Sequence, residues 1–295
     1  MPDLNLHGAM VAIVTPFNES GIDWDAFAHL IDFQLENGNQ GLIPCGTTGE
    51  SPTLNYEEHD KVIEFTVKRA EGKVPVIAGT GSNSTSEAVS TTQHAKDAGA
   101  DACLVVNAYY NKPTQHGMVE HIGKVNEIGL PIVLYNIPGR TGIELSVETI
   151  VRMYNEFDQV IAVKHATGNV EGASALAAEC DITILSGDDA LTLPMGAVGG
   201  KGVISVLANI LPAEVRKLTD LIEAGDLDAA RIQHLKLFPL FKGMFVETNP
   251  IPIKAALAMA GMIENRLRLP MTPLSEQYVG KLREQLSSFG VEMKA

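Results

Sequence analysis

The sequence predicts an α/β protein, a (β/α)8 barrel of the TIM type with a C-terminal helical extension. Short β-branched runs recur roughly every 25–35 residues, and each is followed by a turn and a stretch with helical periodicity. Eight such units in succession fit a closed parallel barrel. The runs are apolar throughout rather than alternating, which indicates a parallel sheet covered on both faces. A doubly wound open sheet is the alternative, but the strand number and the lack of a GxGxxG motif after the first strand count against it.

The predicted strands are short apolar runs. They cover residues 10–14, 41–45, 75–78, 102–106, 132–135, 161–164, 183–185 and 202–206. Helix start signals lie between them. Asn55 with Glu58, and Ser84 with Glu87, have the spacing of a capping box before an apolar stripe.

After the eighth strand the pattern becomes wholly helical. Helices are predicted over residues 212–224, 227–247, 250–261 and 272–289, with no further strand. The first of these completes the eighth βα unit. No linker, low-complexity tract or charge block divides the chain, so we expect residues 1–224 to form the barrel and residues 225–295 to form a helical extension packed on it.

The chain has a formal net charge of −14 at pH 7, and 45% of its residues are hydrophobic. The negative charge argues against nucleic acid or an anionic membrane as a partner, and an anionic substrate would need a local positive site. The three cysteines are odd in number and form no CxxC motif, which suits a reducing cytoplasm. No apolar run is long enough for a signal or membrane-spanning segment. We therefore expect a cytoplasmic globular protein.

The residues that carry chemistry follow the predicted strands, and active sites of (β/α)8 barrels lie at the carboxyl ends of the strands. Those ends carry residues 46–51 (GTTGES) after the second strand, 109–114 (YYNKPT) after the fourth, 135–142 (YNIPGRTG) after the fifth and 186–189 (SGDD) after the seventh. The sixth strand ends at Lys164, whereas Lys201 precedes the eighth strand and so lies at the opposite end. Position therefore selects Lys164 as the candidate reactive lysine.

Lys164 has the setting of a Schiff-base lysine. An ammonium group in an apolar wall loses hydration, which favours the neutral amine, a nucleophile for ketones and keto acids. Such an enzyme also needs a phenol to move protons, donors for a keto-acid carboxylate and a cation for the second substrate. Tyr135, the Thr47-Thr48 turn and Arg140 meet these needs. Each also has an ordinary structural alternative, in which the lysine head reaches water, the tyrosine packs, the glycines only serve the turn and the arginine lies on the surface.

Six segments together resemble the dihydrodipicolinate synthases, a family of pyruvate-dependent class I aldolases. They are residues 46–51, 109–114, 135–142, 163–169, 186–189 and 249–254. The likeness runs nearly the whole length, from residues 11–16 to residues 268–273. It implies a lyase that condenses pyruvate with L-aspartate 4-semialdehyde to 4-hydroxy-tetrahydrodipicolinate, in lysine and diaminopimelate biosynthesis. No metal or organic cofactor is implied.

The resemblance implies four catalytic residues. Lys164 would form the Schiff base with pyruvate, and Tyr135 would be the acid/base group beside it. Thr47 and Tyr110 would complete a hydroxyl relay to bulk water, with Tyr110 reaching in from a neighbouring subunit. A homotetramer or homodimer is therefore implied.

The resemblance also implies four substrate-binding residues. Thr48 would hold the pyruvate carboxylate, and Gly187 and the backbone around Ile204 would line the pyruvate pocket. Arg140 would receive the carboxylate of aspartate semialdehyde.

Two positions depart from the family pattern. The pair Asn107-Ala108 stands where the family usually has Thr-Pro before the two tyrosines, which puts the presentation of Tyr110 in question. His165 follows the lysine where an acidic residue is common. This histidine either points inward and tunes Lys164 or turns to the outer layer of the barrel.

A second site is implied for L-lysine as an inhibitor at a subunit interface. The matching positions are Pro52, His59, Asn83, Glu87 and Tyr109. Tyr56 departs from the histidine of some lysine-sensitive members. The structural alternative is that His59 lies on an exposed helix face and that Glu87 is only a capping residue.

Three other functions remain open at this point. A lyase for N-acetylneuraminate or a 2-keto-3-deoxy sugar acid would share Lys164, Tyr135 and pyruvate, but Arg140 suits a short acidic aldehyde better than a polyol. A metal-dependent barrel enzyme would place histidines and carboxylates at strand ends, whereas most of the eight histidines lie in helical stretches. The third is a non-catalytic barrel that senses a keto acid.

Overall fold

The computed structural model describes residues 4–294 and confirms the predicted (β/α)8 barrel. Neighbouring strands of the barrel pair in parallel. In chain order, β1 to β8 are Gly8–Ala12, Leu42–Ile43, Ile77–Gly79, Ala102–Val106, Ile132–Asn136, Val160–His165, Thr183–Ser186 and Gly202–Ser205. A parallel bridge between Leu42 and Val76 joins β2 to β3 and closes the ring.

The second strand is shorter than predicted. Residues 41–45 are predicted as one strand, but only Leu42–Ile43 pairs as such. Cys45 has a φ of 55°, in the left-handed region, so the chain leaves the sheet there and enters the turn at residues 46–51. A two-stranded hairpin of Phe17–Asn18 and Gly21–Ile22 follows β1, and the sequence did not indicate it.

Helices cover the outer face of the barrel. The eight that follow the strands, α1 to α8, are Trp24–Glu36, Tyr56–Ala70, Thr85–Asp97, Gln115–Asn126, Val147–Glu156, Val170–Glu179, Thr192–Ala197 and Pro212–Glu223. A short helix, Pro138–Thr141, stands between β5 and α5. Within residues 4–294, no helix has both the length and the apolar character needed to cross a membrane.

The two predicted capping boxes have different outcomes. Asn55 Oδ1 accepts from Glu58 N at 2.9 Å and Glu58 Oε2 accepts from Asn55 N at 3.1 Å, so the first box is confirmed. The second is wrong, because Ser84 makes no side-chain cap bond at the start of α3. Ser82 Oγ instead donates to Glu87 Oε2 at 2.7 Å, so the loop before the helix binds this carboxylate.

Two apolar cores lie on either side of the sheet, one inside the barrel and one between strands and helices. In β6, Ala162 belongs to the inner core and Val163 to the outer one. By the same alternation Lys164 points inward and His165 outward. His165 Nε2 lies 2.8 Å from the carbonyl oxygen of Asn169, the N-cap of α6, so the outer-layer alternative for this histidine is the one the structure adopts.

Three helices follow the barrel. α9 to α11 are Leu227–Gly243, Ile251–Met259 and Glu276–Ser288, each shorter than predicted. α9 ends at Gly243 rather than at residue 247, and Met244 is its C-cap. α9 packs on α7 and α8, and α10 contacts the turn Leu207–Asn209 that follows β8. This packing brings residues 249–254 to the carboxyl ends of the strands.

Candidate active site

Lys164 and Tyr135 lie side by side at the carboxyl ends of β6 and β5. The register of the two strands pairs these residues directly. Each is 5% exposed, and Lys164 Nζ lies 4.4 Å from the centroid of the Tyr135 ring. The lysine head is therefore buried against the phenol rather than directed to water. A nucleophilic amine beside a group that can move protons is the arrangement that Schiff-base chemistry needs.

Gly187 leaves room beside the lysine stem. It follows β7, and a Cβ atom there would lie 2.5 Å from Ala166 Cβ and 3.2 Å from Lys164 Cε. A larger residue would therefore have to displace its neighbours. Ile204, in β8, belongs to the same inner core as Tyr135. The two residues predicted to line a pyruvate pocket thus face the barrel interior around the buried pair.

The turn at residues 46–51 presents two threonines. Gly49 N donates to Gly46 O and Glu50 N donates to Thr47 O, both at 3.1 Å, which closes the turn. A Cβ atom on Gly49 would lie 3.2 Å from two backbone atoms, so the turn requires a small residue there. Among residues 4–294, the backbone N–H groups of Thr47 and Thr48 donate to no acceptor. Such paired N–H groups suit a carboxylate.

Asn249 connects the turn to Arg140. Asn249 Nδ2 donates to Thr48 Oγ1 at 2.9 Å, and Arg140 Nη2 donates to the backbone oxygen of Asn249 at 3.0 Å. Asn249 and Thr48 are buried, whereas Arg140 is exposed at the mouth of the site. The sequence placed Asn249 in a family-like segment but gave no reason to assign it a role. Its contact with Thr48 spans 201 positions, which no local pattern can indicate.

A cavity of about 430 Å³ opens beside these residues. The predicted site residues in its wall are Thr47, Tyr135 and Arg140 from the catalytic and substrate sets, and Pro52, His59, Glu87 and Tyr109 from the lysine set. Tyr56 also lines it. In the single chain, Thr47, Tyr135 and Arg140 therefore share one continuous space with four of the predicted lysine-binding residues.

Six predicted site residues do not line this cavity, namely Lys164, Thr48, Gly187, Ile204, Tyr110 and Asn83. Tyr110 is 88% exposed and has a φ of 72°, so its side chain lies at the surface of the single chain. Asn83 is absent from the cavity wall, and its backbone oxygen accepts from Asn111 Nδ2 at 2.9 Å. In the single chain, Tyr110 therefore does not line the cavity that Thr47 lines.

The departure at Asn107-Ala108 is accommodated by contacts with β5. Asn107 N donates to Tyr135 O at 3.2 Å, and Asn107 Nδ2 donates to Asn136 Oδ1 at 2.9 Å. Both asparagines are 1% exposed. The segment that leads to Tyr110 is therefore fixed to the strand that carries Tyr135, although the family's proline is missing.

The far part of the cavity combines a neutral imidazole with a carboxylate. His59 is 7% exposed, and its Nε2 lies 2.9 Å from Gly79 O. Burial lowers the pKa of His59. The hydrogen bond from Ser82 lowers the pKa of Glu87, so this side chain is anionic near neutral pH. The alternatives of an exposed histidine and a capping glutamate are therefore both wrong.

His59→Gln is expected to reduce the loss of stability that the protein suffers at acid pH. The pKa of His59 in the folded chain lies below the ordinary histidine value of 6.5. At pH values below 6.5 the unfolded chain binds more protons at this residue, so the buried histidine makes the free energy of unfolding fall as the pH drops. Glutamine does not titrate. We expect urea unfolding to show a smaller loss of stability from about pH 7 to about pH 5 in the variant than in the wild type.

His116→Gln is the matched control, because His116 is exposed on α4. Its stability profile should follow that of the wild type. If His59→Gln and the wild type lost the same free energy of unfolding between about pH 7 and about pH 5, the effect of His59 on stability would be contradicted.

Glu50 and Lys254 form a buried ion pair at the end of the turn. Lys254, in α10, is fully buried, and Glu50 is 3% exposed. The amine of Lys254 binds the Glu50 carboxylate and also donates to Arg266 O at 2.9 Å. Arg268 N donates to Glu50 Oε2 at 3.0 Å. Burial lowers the pKa of Lys254 to about 8, although the nearby carboxylate acts in the opposite direction.

The fold and this site define a class, the (β/α)8 barrel lyases whose catalytic group is a buried lysine amine at the carboxyl ends of the strands. The cavity, which is lined by both Thr47 and Tyr135, fits a small carboxylate substrate. The chain belongs to the dihydrodipicolinate synthetase family, whose sequence model matches residues 5–289.

Individual relatives agree with this assignment. A protein of Aquifex aeolicus named 4-hydroxy-tetrahydrodipicolinate synthase is 50% identical over 290 residues, which cover 97% of this chain and 99% of the relative. The crystal structure of dihydrodipicolinate synthase from Aquifex aeolicus matches with a TM-score of 0.97 at 49% identity, covering 98% of this chain and all of that one. The structure from Cyanidioschyzon merolae, determined with lysine bound, matches with a TM-score of 0.94 at 36% identity over 97% of this chain and 99% of that one.

Proposed function

We propose that this protein is a 4-hydroxy-tetrahydrodipicolinate synthase, which condenses pyruvate with L-aspartate 4-semialdehyde in lysine and diaminopimelate biosynthesis. The observation that carries the proposal is the buried contact of Lys164 with Tyr135, 4.4 Å from amine to ring centroid. The family match and the relatives of that name support it. They favour it over a metal-dependent barrel enzyme and over a non-catalytic sensor.

Lys164 begins the proposed reaction. Its neutral amine attacks the keto carbon of pyruvate, and the carbinolamine loses water as the Tyr135 phenol supplies a proton to the leaving hydroxyl. The resulting Tyr135 phenolate takes a proton from the methyl group, which gives the enamine. The enamine carbon attacks the aldehyde carbon of the second substrate, whose oxygen takes up a proton from the Tyr135 phenol. The amine of that substrate finally displaces Lys164 and closes the ring, which releases the free lysine.

The two substrate carboxylates have separate partners in this proposal. The hydroxyl of Thr48, with the backbone N–H groups of Thr47 and Thr48, holds the carboxylate of pyruvate. Gly187 and Ile204 border the pocket that receives it. Arg140, held at the cavity mouth by Asn249 O, receives the carboxylate of the semialdehyde.

An assay of substrate choice tests the proposal. Condensation of pyruvate with L-aspartate 4-semialdehyde would be followed through a coupled reductase. Pyruvate release from N-acetylneuraminate and from a 2-keto-3-deoxy sugar acid would be measured in parallel. We expect turnover in the first assay only, because a cation at the mouth suits an acidic aldehyde. Sugar-acid cleavage without condensation would overturn the proposal in favour of a sugar-acid lyase.

Tyr135→Phe is expected to lower kcat by about 10²–10⁴-fold, because it removes the proton-transfer group and keeps the ring. The KM for pyruvate should change much less, since the carboxylate partners remain. Tyr154→Phe, on α5, is the matched control and should keep the wild-type kcat. A Tyr135→Phe variant with full kcat would assign the proton transfers to another group.

We propose that Tyr110 acts across a subunit interface in a homodimer or homotetramer. Thr47 lines the cavity whereas Tyr110 is 88% exposed, so a hydroxyl relay between them needs a second copy of the chain. A monomeric variant should keep its fold and lose activity. Sedimentation analysis with parallel assays would test this, and a fully active monomer would contradict it.

We propose that L-lysine binds the far part of the cavity and inhibits the enzyme. The anionic Glu87 and the neutral His59 suit an ammonium group, and the lysine-bound Cyanidioschyzon merolae structure supports the idea. Pro52 and Tyr109 line the same space, whereas Asn83 lies outside it in the single chain.

Glu87→Gln is expected to raise the half-inhibitory lysine concentration about tenfold, because it removes the charge that pairs with the ammonium group. Glu57→Gln, at an exposed position of α2, removes a charge elsewhere and should leave inhibition unchanged. Wild-type activity that persists at millimolar lysine would remove the proposal.

We propose that the protein works in the cytoplasm. Cys45, Cys103 and Cys180 are free thiols, which suits a reducing compartment. Burial raises the pKa of the Cys103 thiol to about 12, so this thiol stays protonated.

A further inference from the structure

We propose that Asn249 is a positioning residue that aims the Thr48 hydroxyl at the pyruvate carboxylate. This inference rests on the proposed function, because it takes Thr48 to bind that carboxylate. Asn249 acts through Thr48 and does not itself take part in the chemistry.

The inference depends on which group donates and which accepts in the hydrogen bond at Thr48. A hydroxyl has one proton to donate and two lone pairs that accept. Asn249 Nδ2 donates to Thr48 Oγ1 at 2.9 Å, so one lone pair is occupied and the oxygen acts here as an acceptor. Among residues 4–294, Thr48 Oγ1 donates to no protein acceptor. The threonine proton is therefore kept for a ligand, and an anionic carboxylate is the acceptor that binds it best.

The burial of Asn249 supports a role beyond packing. The residue is 4% exposed, and its Oδ1 has no hydrogen-bond partner among the described residues. Leaving a buried acceptor unpaired destabilises a protein, so an apolar residue would be the more stable choice if the position served only to fill space. An amide there is explained by the bond that its Nδ2 makes.

The contact between Arg140 and Asn249 allows the effects on the two substrates to be distinguished. Arg140 Nη2 binds the backbone oxygen of Asn249, which every substitution retains. Changes to the Asn249 side chain should therefore act on pyruvate and leave the semialdehyde nearly unaffected. A general loosening of the site would instead weaken the binding of both substrates.

Two variants test the polarity. Asn249→Ala removes the donor and frees the Thr48 hydroxyl to rotate, so we expect the KM for pyruvate to rise about tenfold. Asn249→Asp has the same shape but accepts instead of donating, so it turns the hydroxyl away from the substrate and adds a negative charge. We expect its pyruvate KM to rise further than that of the alanine variant. In both, kcat and the KM for the semialdehyde should stay within about threefold of wild type.

Thr48→Val, alone and combined with Asn249→Ala, completes a double-mutant cycle. If Asn249 acts through the hydroxyl, adding Asn249→Ala to Thr48→Val should change the pyruvate KM by less than about twofold. Additive effects of the two substitutions would overturn the inference. Asn265→Asp, at an exposed position after α10, is the control for added charge and should match wild type. Thermal unfolding of each variant identifies any that fails to fold, and the aspartate variant, being isosteric, then carries the test.

Borohydride trapping of pyruvate separates this inference from the proposed function. Wild-type protein that is not trapped by pyruvate and borohydride would overturn the Schiff-base proposal and the inference with it. Wild-type protein that is trapped, together with variants trapped at the same half-saturating pyruvate concentration, would overturn only the role of Asn249. A shift to higher pyruvate in the variants alone is the expected result.

Discussion

Lys164→Ala is expected to lower turnover by at least about 10⁴-fold, because it removes the amine that forms the covalent intermediate in the proposed reaction. The coupled condensation assay measures the loss. Mass spectrometry after borohydride treatment with pyruvate should show the adduct in the wild type and none in the variant. The substitution removes a buried amine that lies 4.4 Å from the Tyr135 ring, so the fold should be retained and circular dichroism should confirm it.

Lys201→Ala is the control for this experiment. Lys201 is exposed and precedes β8, at the opposite end of the barrel. Its loss should leave both turnover and trapping at wild-type levels. Trapping that survives in Lys164→Ala and disappears in Lys201→Ala would reverse the assignment of the two lysines.

Lys254→Ala is expected to destabilise the protein by about 3–5 kcal/mol, because it leaves the carboxylate of Glu50 buried without its partner. Both side chains of this pair are almost inaccessible, at 0% and 2%. Urea unfolding measures the change. The double variant Glu50→Gln with Lys254→Met should recover most of the loss, since the introduced amide keeps an acceptor for the backbone N–H of Arg268 and no charge remains buried.

Lys236→Ala is the comparison at the surface. Lys236 pairs with Glu214 at 2.9 Å, but its side chain is 49% exposed. Such a pair contributes only about 0–1 kcal/mol, so this variant should stay close to wild type. A Lys254→Ala variant that is no less stable than Lys236→Ala would show that the buried pair adds nothing to stability.

The barrel and the position of Lys164 could be predicted because both depend on local patterns. Strand-length apolar runs and the residues that follow them are adjacent in the chain, and the carboxyl-end rule then places them on one face. The exceptions have local physical causes. The positive φ of Cys45 ends β2 early, and the bond of Ser82 with Glu87 replaces the expected cap.

The support of the threonine turn could not be predicted, since its partners are distant in sequence. Thr48 and Asn249 are separated by 201 positions, and Glu50 and Lys254 by 204. Neither pair leaves a periodic signal. Tyr110 is a different case, because its side chain is 88% exposed in one chain and its proposed role depends on a second copy.

The dependence of the turn on Asn249 and Lys254 has a consequence for synthesis of the protein. Residues 46–51 leave the ribosome about 200 residues before Asn249 and Lys254, a delay of roughly 10–40 s at ordinary translation rates. A nascent chain that ends near residue 224 can hold all eight strands and both threonines, yet lacks the side chains that fix them. We therefore propose that residues 225–295 are not a separable domain, and that the enzyme becomes competent only when the last part of the chain has been made.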